Sequence, residues 1–489
     1  MARTRRAVLS LVTWWILAAP ALAQWSPDPL INNPVAVAPD TQSPIVAVSD
    51  GAGGAVIVWR SERFDVGTFS FLYDLRAQRM SATGVPLWAV GGVELVANSV
   101  SALATLLRPP FTAVSDGSGG TIVAWRDIRT PGDTGDIYAQ RVNGSGVAQW
   151  TAGGMVVCAA ADLQQRPVAV SDGAGGAIIA WEDRRNGFGN TNLFAQRVNG
   201  SGAVQWAANG VPVTEAVGDQ LLPSITTDGA SGAIVAWNDS RAVDGEIFVQ
   251  KILAAGTAFW IADGVAITSL PGSIQTRPAI ATDNLGGAIM AWEDGRNGAD
   301  NDIYARRISS AGTPQWAING VQIASTDNGT IPVVVADLTG GAFVVWTDER
   351  NGGVNTDVFA QRVSAGGIVQ WAANGVTVCG ATGGQFFHAA TADGSGGVLI
   401  GWEDGRSDAG DVFAQRLNVS GTALWAADGR PVSTPINGQG GVTVAPDGSG
   451  GGIFAWGDSR AVATGVDVYA ARVDGSGALP VTLESFTIE

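Results

Sequence analysis

The chemistry open to this chain is narrow. It holds one histidine, His388, and two cysteines, Cys158 and Cys379, in 489 residues. This lone histidine is assigned to no Ser-His or Cys-His nucleophile pair, and it cannot by itself build a histidine-rich metal centre. Carboxylates are plentiful, with 44 Asp and Glu against 28 Lys and Arg, and two suffice for glycoside hydrolysis. Loop oxygens of the kind calcium takes occur at Asp300 with Asp302 and at Asp408 with Asp411, although no spacing matches a recognised calcium loop.

The most insistent pattern is Trp-x-Asp-x-Arg. It recurs as Trp125, Asp127, Arg129; as Trp181, Asp183, Arg185; as Trp292, Asp294, Arg296; and as Trp402, Asp404, Arg406. Spacings of i, i+2 and i+4 put all three side chains on one face of a strand. The structural reading packs the Trp between repeats and pairs the Asp with the Arg. The functional reading is one Trp/Asp/Arg pocket per repeat. A residue present in every copy reads as scaffold before it reads as site.

The elements that must carry this pattern follow from its period. Trp59, Trp125, Trp181, Trp237, Trp292, Trp346, Trp402 and Trp456 recur about every 55 residues, with a longer first interval. A second series keeps the same beat at Trp25, Trp88, Trp150, Trp206, Trp260, Trp316, Trp371 and Trp425. Within each unit, four β-branched and aromatic runs of alternating polarity are bounded by Gly, Asn and Asp, which is hairpin chemistry. Four antiparallel strands per unit make one propeller blade. His388 stands where other copies place proline, as at Pro223 and Pro278, and reads as a tolerated substitution.

The expected fold is therefore all-β: an eight-bladed β-propeller of four-stranded antiparallel blades. Its N-terminal "QWSPDPLINNPVAV" resembles a fourth strand, and the last copy lacks one, so the N-terminal strand is expected to complete the last blade. The expected divisions are a signal peptide at 1–23, the propeller at 24–478 and a tail at 479–489. "MARTRR", the short apolar run after it and "ALA" before Gln24 are the parts of an export signal. Secretion to the periplasm or beyond follows, with cleavage after Ala23.

Removing Arg3, Arg5 and Arg6 leaves 25 basic against 44 acidic residues, a net charge of 25 − 44 = −19. That balance disfavours nucleic acid and anionic membranes as partners. Cys158 and Cys379 occupy matching repeat positions in distant copies, so they read as buried apolar residues and not as a disulfide. The first copy differs from the rest through the apolar crossover "ELVANSVSALATLLRPPF", which is placed to cover a rim or dock a partner.

"AWEDGRNGADNDIYARRISSAG" resembles the blade hairpin of TolB-type propellers, and the full unit is similar to WD40-like repeats of bacterial exported proteins. The resemblance implies the propeller and no particular activity. The tail "LPVTLESFTIE" resembles the opening of a C-terminal immunoglobulin-like or sorting module.

Near-equivalence of the eight copies points to a non-catalytic binding or adhesion scaffold, not an enzyme, with a glycan or protein partner. No cofactor is required on this reading, calcium being the one considered. The alternatives are a polysaccharide-active hydrolase or lyase using carboxylates on a ring face, and a structural surface component. A catalytic site is expected to break the symmetry of one or two blades.

Overall fold

A computed structural model describes residues 24–480, apart from 68, 101–110, 130–133, 242–244, 299, 326, 353–354, 408–409 and 462–464. The signal segment, most of the tail and the apolar stretch of the first crossover fall outside the described residues.

Strands alone carry the described chain, and they form eight sheets. Blade seven shows the pattern: Gln385–Ala392, Val398–Asp404, Asp411–Leu417 and Arg430–Ser433 pair in that order, all antiparallel. The fifth blade adds the two-residue strand Pro314–Gln315. First strands of neighbouring blades lie against one another, so they line the axis and the fourth strands lie outermost.

Each second strand is apolar on both faces because it is sandwiched between two neighbouring blades. Ile400 and Trp402 of blade seven share a core with Phe343 and Val345 of blade six. Three features recur and hold each blade in place. The Asp of the first turn accepts backbone N–H groups, as Asp393 does from Ser395 and Gly397 at 2.7 Å. An Arg on the third strand braces that Asp, as Arg416 Nε does at 2.8 Å. The second Trp series staples each blade to the next turn: Trp371 Nε1 donates to the Val419 carbonyl at 3.1 Å and Trp425 Nε1 to the Gly475 carbonyl at 3.4 Å.

The ring closes as the sequence leads one to expect. Asn33–Ala36 is the outermost strand of the last blade, paired with Asp467–Val473. Trp25 Nε1 then donates to the Ala82 carbonyl of blade one at 3.0 Å, the same staple as in the other blades.

Candidate functional site

The repeated Trp-x-Asp-x-Arg is a self-satisfied cluster. Trp292 Nε1 donates to Asp294 Oδ2 at 2.7 Å, and Arg296 Nη2 donates to the same oxygen at 2.5 Å. The Arg296 guanidinium stacks over Tyr304 at 3.6 Å and donates to the Asn319 carbonyl at 2.7 Å. The same set joins Trp181, Asp183 and Arg185 over Phe194, and Trp402, Asp404 and Arg406 over Phe413. Trp125 donates to Asp127, which also pairs with Arg129 stacked over Tyr138. Blade one departs: Ser61 replaces the Asp, and Arg63 pairs with Asp74 at 3.0 Å. These Trp and Asp side chains are buried with their polar atoms paired to one another, so they act on stability.

The residue between Trp and Asp points the other way, toward the next blade, and it varies. It is Glu182, Glu293 and Glu403 in blades three, five and seven. It sits one residue before the end of the second strand. That end of the blade carries the variable loops between second and third strands. Opposite it the first strand slips register, and the slip puts Arg166, Arg277 and Phe387 at φ of 51°, 53° and 44°. A non-Gly residue held there is uncommon and stores strain.

In blades three and five this bulge supplies a cation. Arg166 Nη1 donates to Glu182 Oε1 at 3.2 Å, and Arg277 Nη1 donates to Glu293 Oε1 at 3.0 Å. Each of these carboxylates also accepts a backbone N–H from the next blade, Leu222 at 2.9 Å and Ile331 at 2.8 Å. Both glutamates are thus held between an arginine and a backbone N–H.

Blade seven breaks the pattern. Phe387 replaces the Arg, and Phe386 lies directly cross-strand from Glu403. Both rings are exposed, at 41% and 56% for Phe386 and Phe387. Among the described residues no basic group pairs with Glu403. Burial pushes its pKa up, only partly offset by the Gly441 N–H of blade eight. Glycines make the room it occupies: a Cβ on Gly440 would lie 2.3 Å from its Oε2, and one on Gly410 3.2 Å from its Oε1. A half-buried carboxyl with a raised pKa, directly across the strand from the exposed Phe386, is equipped to hold and transfer a proton.

Other residues singled out in the sequence lie elsewhere. Asp302 is buried and accepts from Asn297 at 2.5 Å and Gln322 at 3.1 Å, whereas Asp300 is exposed. Asp411 is buried and accepts from Ser407, while Asp408 lies outside the described residues. Among the described residues no three His, Cys, Asp or Glu side chains converge as a metal site would require. His388 is buried, contacts the Val345 carbonyl at 3.3 Å and has its pKa pushed down to about 4 by burial. Cys158 and Cys379 are buried free thiols, pushed up to about 12 by burial. Glu403 itself was not singled out by the sequence reading. Its signal is the alternation of Glu with other residues inside Trp-x-Asp, read together with the loss of Arg one strand earlier.

No family model and no curated protein matches the chain. Solved structures with a similar fold include the polysaccharide lyase Uly1, at 10% identity and TM-score 0.45, covering 89% of this chain and 100% of that one. An α-L-arabinanase of Penicillium chrysogenum complexed with arabinobiose follows at 14% identity and TM-score 0.37, covering 69% and 98%. A Dyadobacter fermentans protein described as of unknown function has 9% identity and TM-score 0.40, covering 63% and 93%. The propeller stands on the eight sheets and the closing strand pair, and the TolB-type resemblance reaches no further than the propeller.

The expectation of a non-catalytic binding or adhesion scaffold, and of no enzymatic activity, is corrected here. Two of the similar structures are described as a polysaccharide lyase and as an α-L-arabinanase, which is said of those proteins. Within this chain, moreover, the equivalence of copies on which that expectation rested fails at Glu403.

Proposed function

We propose that the chain is a polysaccharide-active hydrolase or lyase, and that Glu403 is the group that carries the proton. The observation that supports this reading is the environment of Glu403: alone of the three glutamates in Trp-Glu-Asp, it has an exposed aromatic in place of the arginine partner. Its raised pKa keeps a protonated fraction at higher pH than an ordinary glutamate would. A protonated carboxyl can give its proton to a glycosidic oxygen, and an ionised one can take a proton from a sugar carbon or water. Phe386 and Phe387 offer apolar faces on which a sugar ring can stack beside it. Work outside the cytoplasm is part of the same proposal, on the strength of residues 1–23.

The experiment is turnover by the full chain on a panel of neutral and acidic polysaccharides, with Glu403→Gln alongside. Loss of about 100-fold or more in kcat with unchanged melting temperature is expected, the range for removing a positioned acid or base. Full activity in Glu403→Gln, or no turnover on any polysaccharide, sinks the reading.

A further inference from the structure

Each glutamate between Trp and Asp takes a backbone N–H from the first-strand bulge of the next blade. The donors are Leu222 for Glu182 at 2.9 Å, Ile331 for Glu293 at 2.8 Å, and Gly441 for Glu403. All three sit in the left-handed region, at φ of 55°, 53° and 66°. Two of the three thus bring a branched side chain to this place, and the third brings none. The residue before Gly441 is also a glycine, where Leu221 and Thr330 stand in the other two copies. A Cβ on Gly441 would meet nothing within 4 Å, so the room that a leucine or isoleucine takes in the other copies is open beside Glu403.

The surroundings of this opening are apolar and carry no free cation. Phe386, directly across the strand from Glu403, is exposed, and its ring packs on the bare backbone of Gly384, where a Cβ would lie 2.1 Å from it. Blades six to eight hold seven arginines and no lysine. Six of the seven brace buried scaffold aspartates at 2.5–2.8 Å. The seventh, Arg430, stands on the outermost strand across from Ala414, two residues down the third strand from Val412, which is the partner of Glu403. An anionic sugar in the opening would lie beside a carboxyl with no counter-charge, in a chain of net charge −16. An uncharged sugar ring needs only an apolar face to stack on and a few polar groups to fix it.

We propose that the opening over Gly441 is the subsite for an uncharged sugar unit of a neutral polysaccharide, with Phe386 against its apolar face and Glu403 at its glycosidic oxygen. Gly440 and Gly441 determine specificity by leaving that room. This rests on the reading of Glu403 above and narrows it to hydrolysis. Elimination from a uronate builds negative charge on the sugar's own carboxylate, and no cation stands there to hold it. In hydrolysis Glu403 gives its proton to the glycosidic oxygen as the bond from that oxygen to the anomeric carbon breaks. Water adds its hydroxyl to that carbon, and its remaining proton restores the carboxyl.

Affinity of the full chain is measured for xylo-, arabino- and cello-oligosaccharides and for oligogalacturonate, in the wild type, Gly441→Leu and Phe386→Ala. Leu222 and Ile331 hold the same bulge position at similar φ, so Gly441→Leu fills the opening with a residue the fold accepts there. At least one neutral oligosaccharide is expected to bind, oligogalacturonate more weakly, and each variant to lose about tenfold or more in affinity for the neutral probe. Phe386→Ala removes an exposed ring, so it reports even where Gly441→Leu lowers the melting temperature. Tighter binding of oligogalacturonate, no binding of any neutral probe, or unchanged affinity in Phe386→Ala or in a folded Gly441→Leu overturns the proposal. So does an unsaturated uronate among the products. Glu403→Gln separates the two claims: wild-type binding and wild-type turnover of a neutral probe in that variant would sink the reading of Glu403 and leave the neutral subsite standing.

Discussion

Arg277 Nη1 lies 3.0 Å from Glu293 Oε1, and the matching place beside Glu403 is taken by Phe387. Restoring the cation tests what its absence does. Phe387→Arg is expected to lower the Glu403 pKa, because a nearby positive charge favours the ionised carboxyl. The limb of the kcat/KM pH profile that belongs to this group then moves to lower pH. An unchanged profile in an active Phe387→Arg would separate that limb from Glu403.

Trp292 is fully buried, and Asp300 is exposed in the loop that follows. Trp292→Ala removes the indole and leaves Asp294 without one donor. A loss of about 3–5 kcal/mol is expected, against less than about 0.5 kcal/mol for Asp300→Ala. Denaturant unfolding of both variants checks the contrast, and similar midpoints would refute it.

The ring is closed by the N-terminal segment. Arg460 Nη1 donates to the carbonyls of Leu30 and Ile31 at 3.0 and 2.8 Å, and its Nη2 donates to Asn32 Oδ1 at 2.9 Å. Deleting residues 24–41 strips the outer strand from blade eight and the Trp25 staple from blade one. The expected outcome is a sharply lowered melting temperature and faster proteolysis near Asp467–Val473, whose backbone then becomes a sheet edge. Wild-type melting after the deletion would show that closure contributes little.

His388 gives stability a pH dependence. Its pKa is about 4 in the fold against an ordinary 6.5, so the unfolded chain takes up a proton in that window and the folded chain does not. Stability from this group is full above pH 6.5 and falls as pH drops toward 4, by about 3 kcal/mol at most. Other copies carry proline here, as at Pro223 and Pro278, so His388→Pro is expected to flatten this part of the curve. Equal slopes in urea unfolding of the two proteins between pH 6.5 and 4 would exclude His388 as the cause.

The blades and the ring were legible in the sequence because their causes are local. Alternating polarity sets each strand, Gly and Asn set each turn, and a Trp that must be buried once per blade sets the period. Closure by residues 33–36 was legible too, since the fourth strand missing from the last copy stands at the other end of the chain. Glu403 was not legible, for a physical reason. Its neighbours are decided by strand register and blade packing, which set Phe386 across from it and bring the Gly441 N–H of the next blade to its carboxyl. Sequence period fixes what every blade shares, whereas packing across strands and blades decides which copy is left with an unpaired charge.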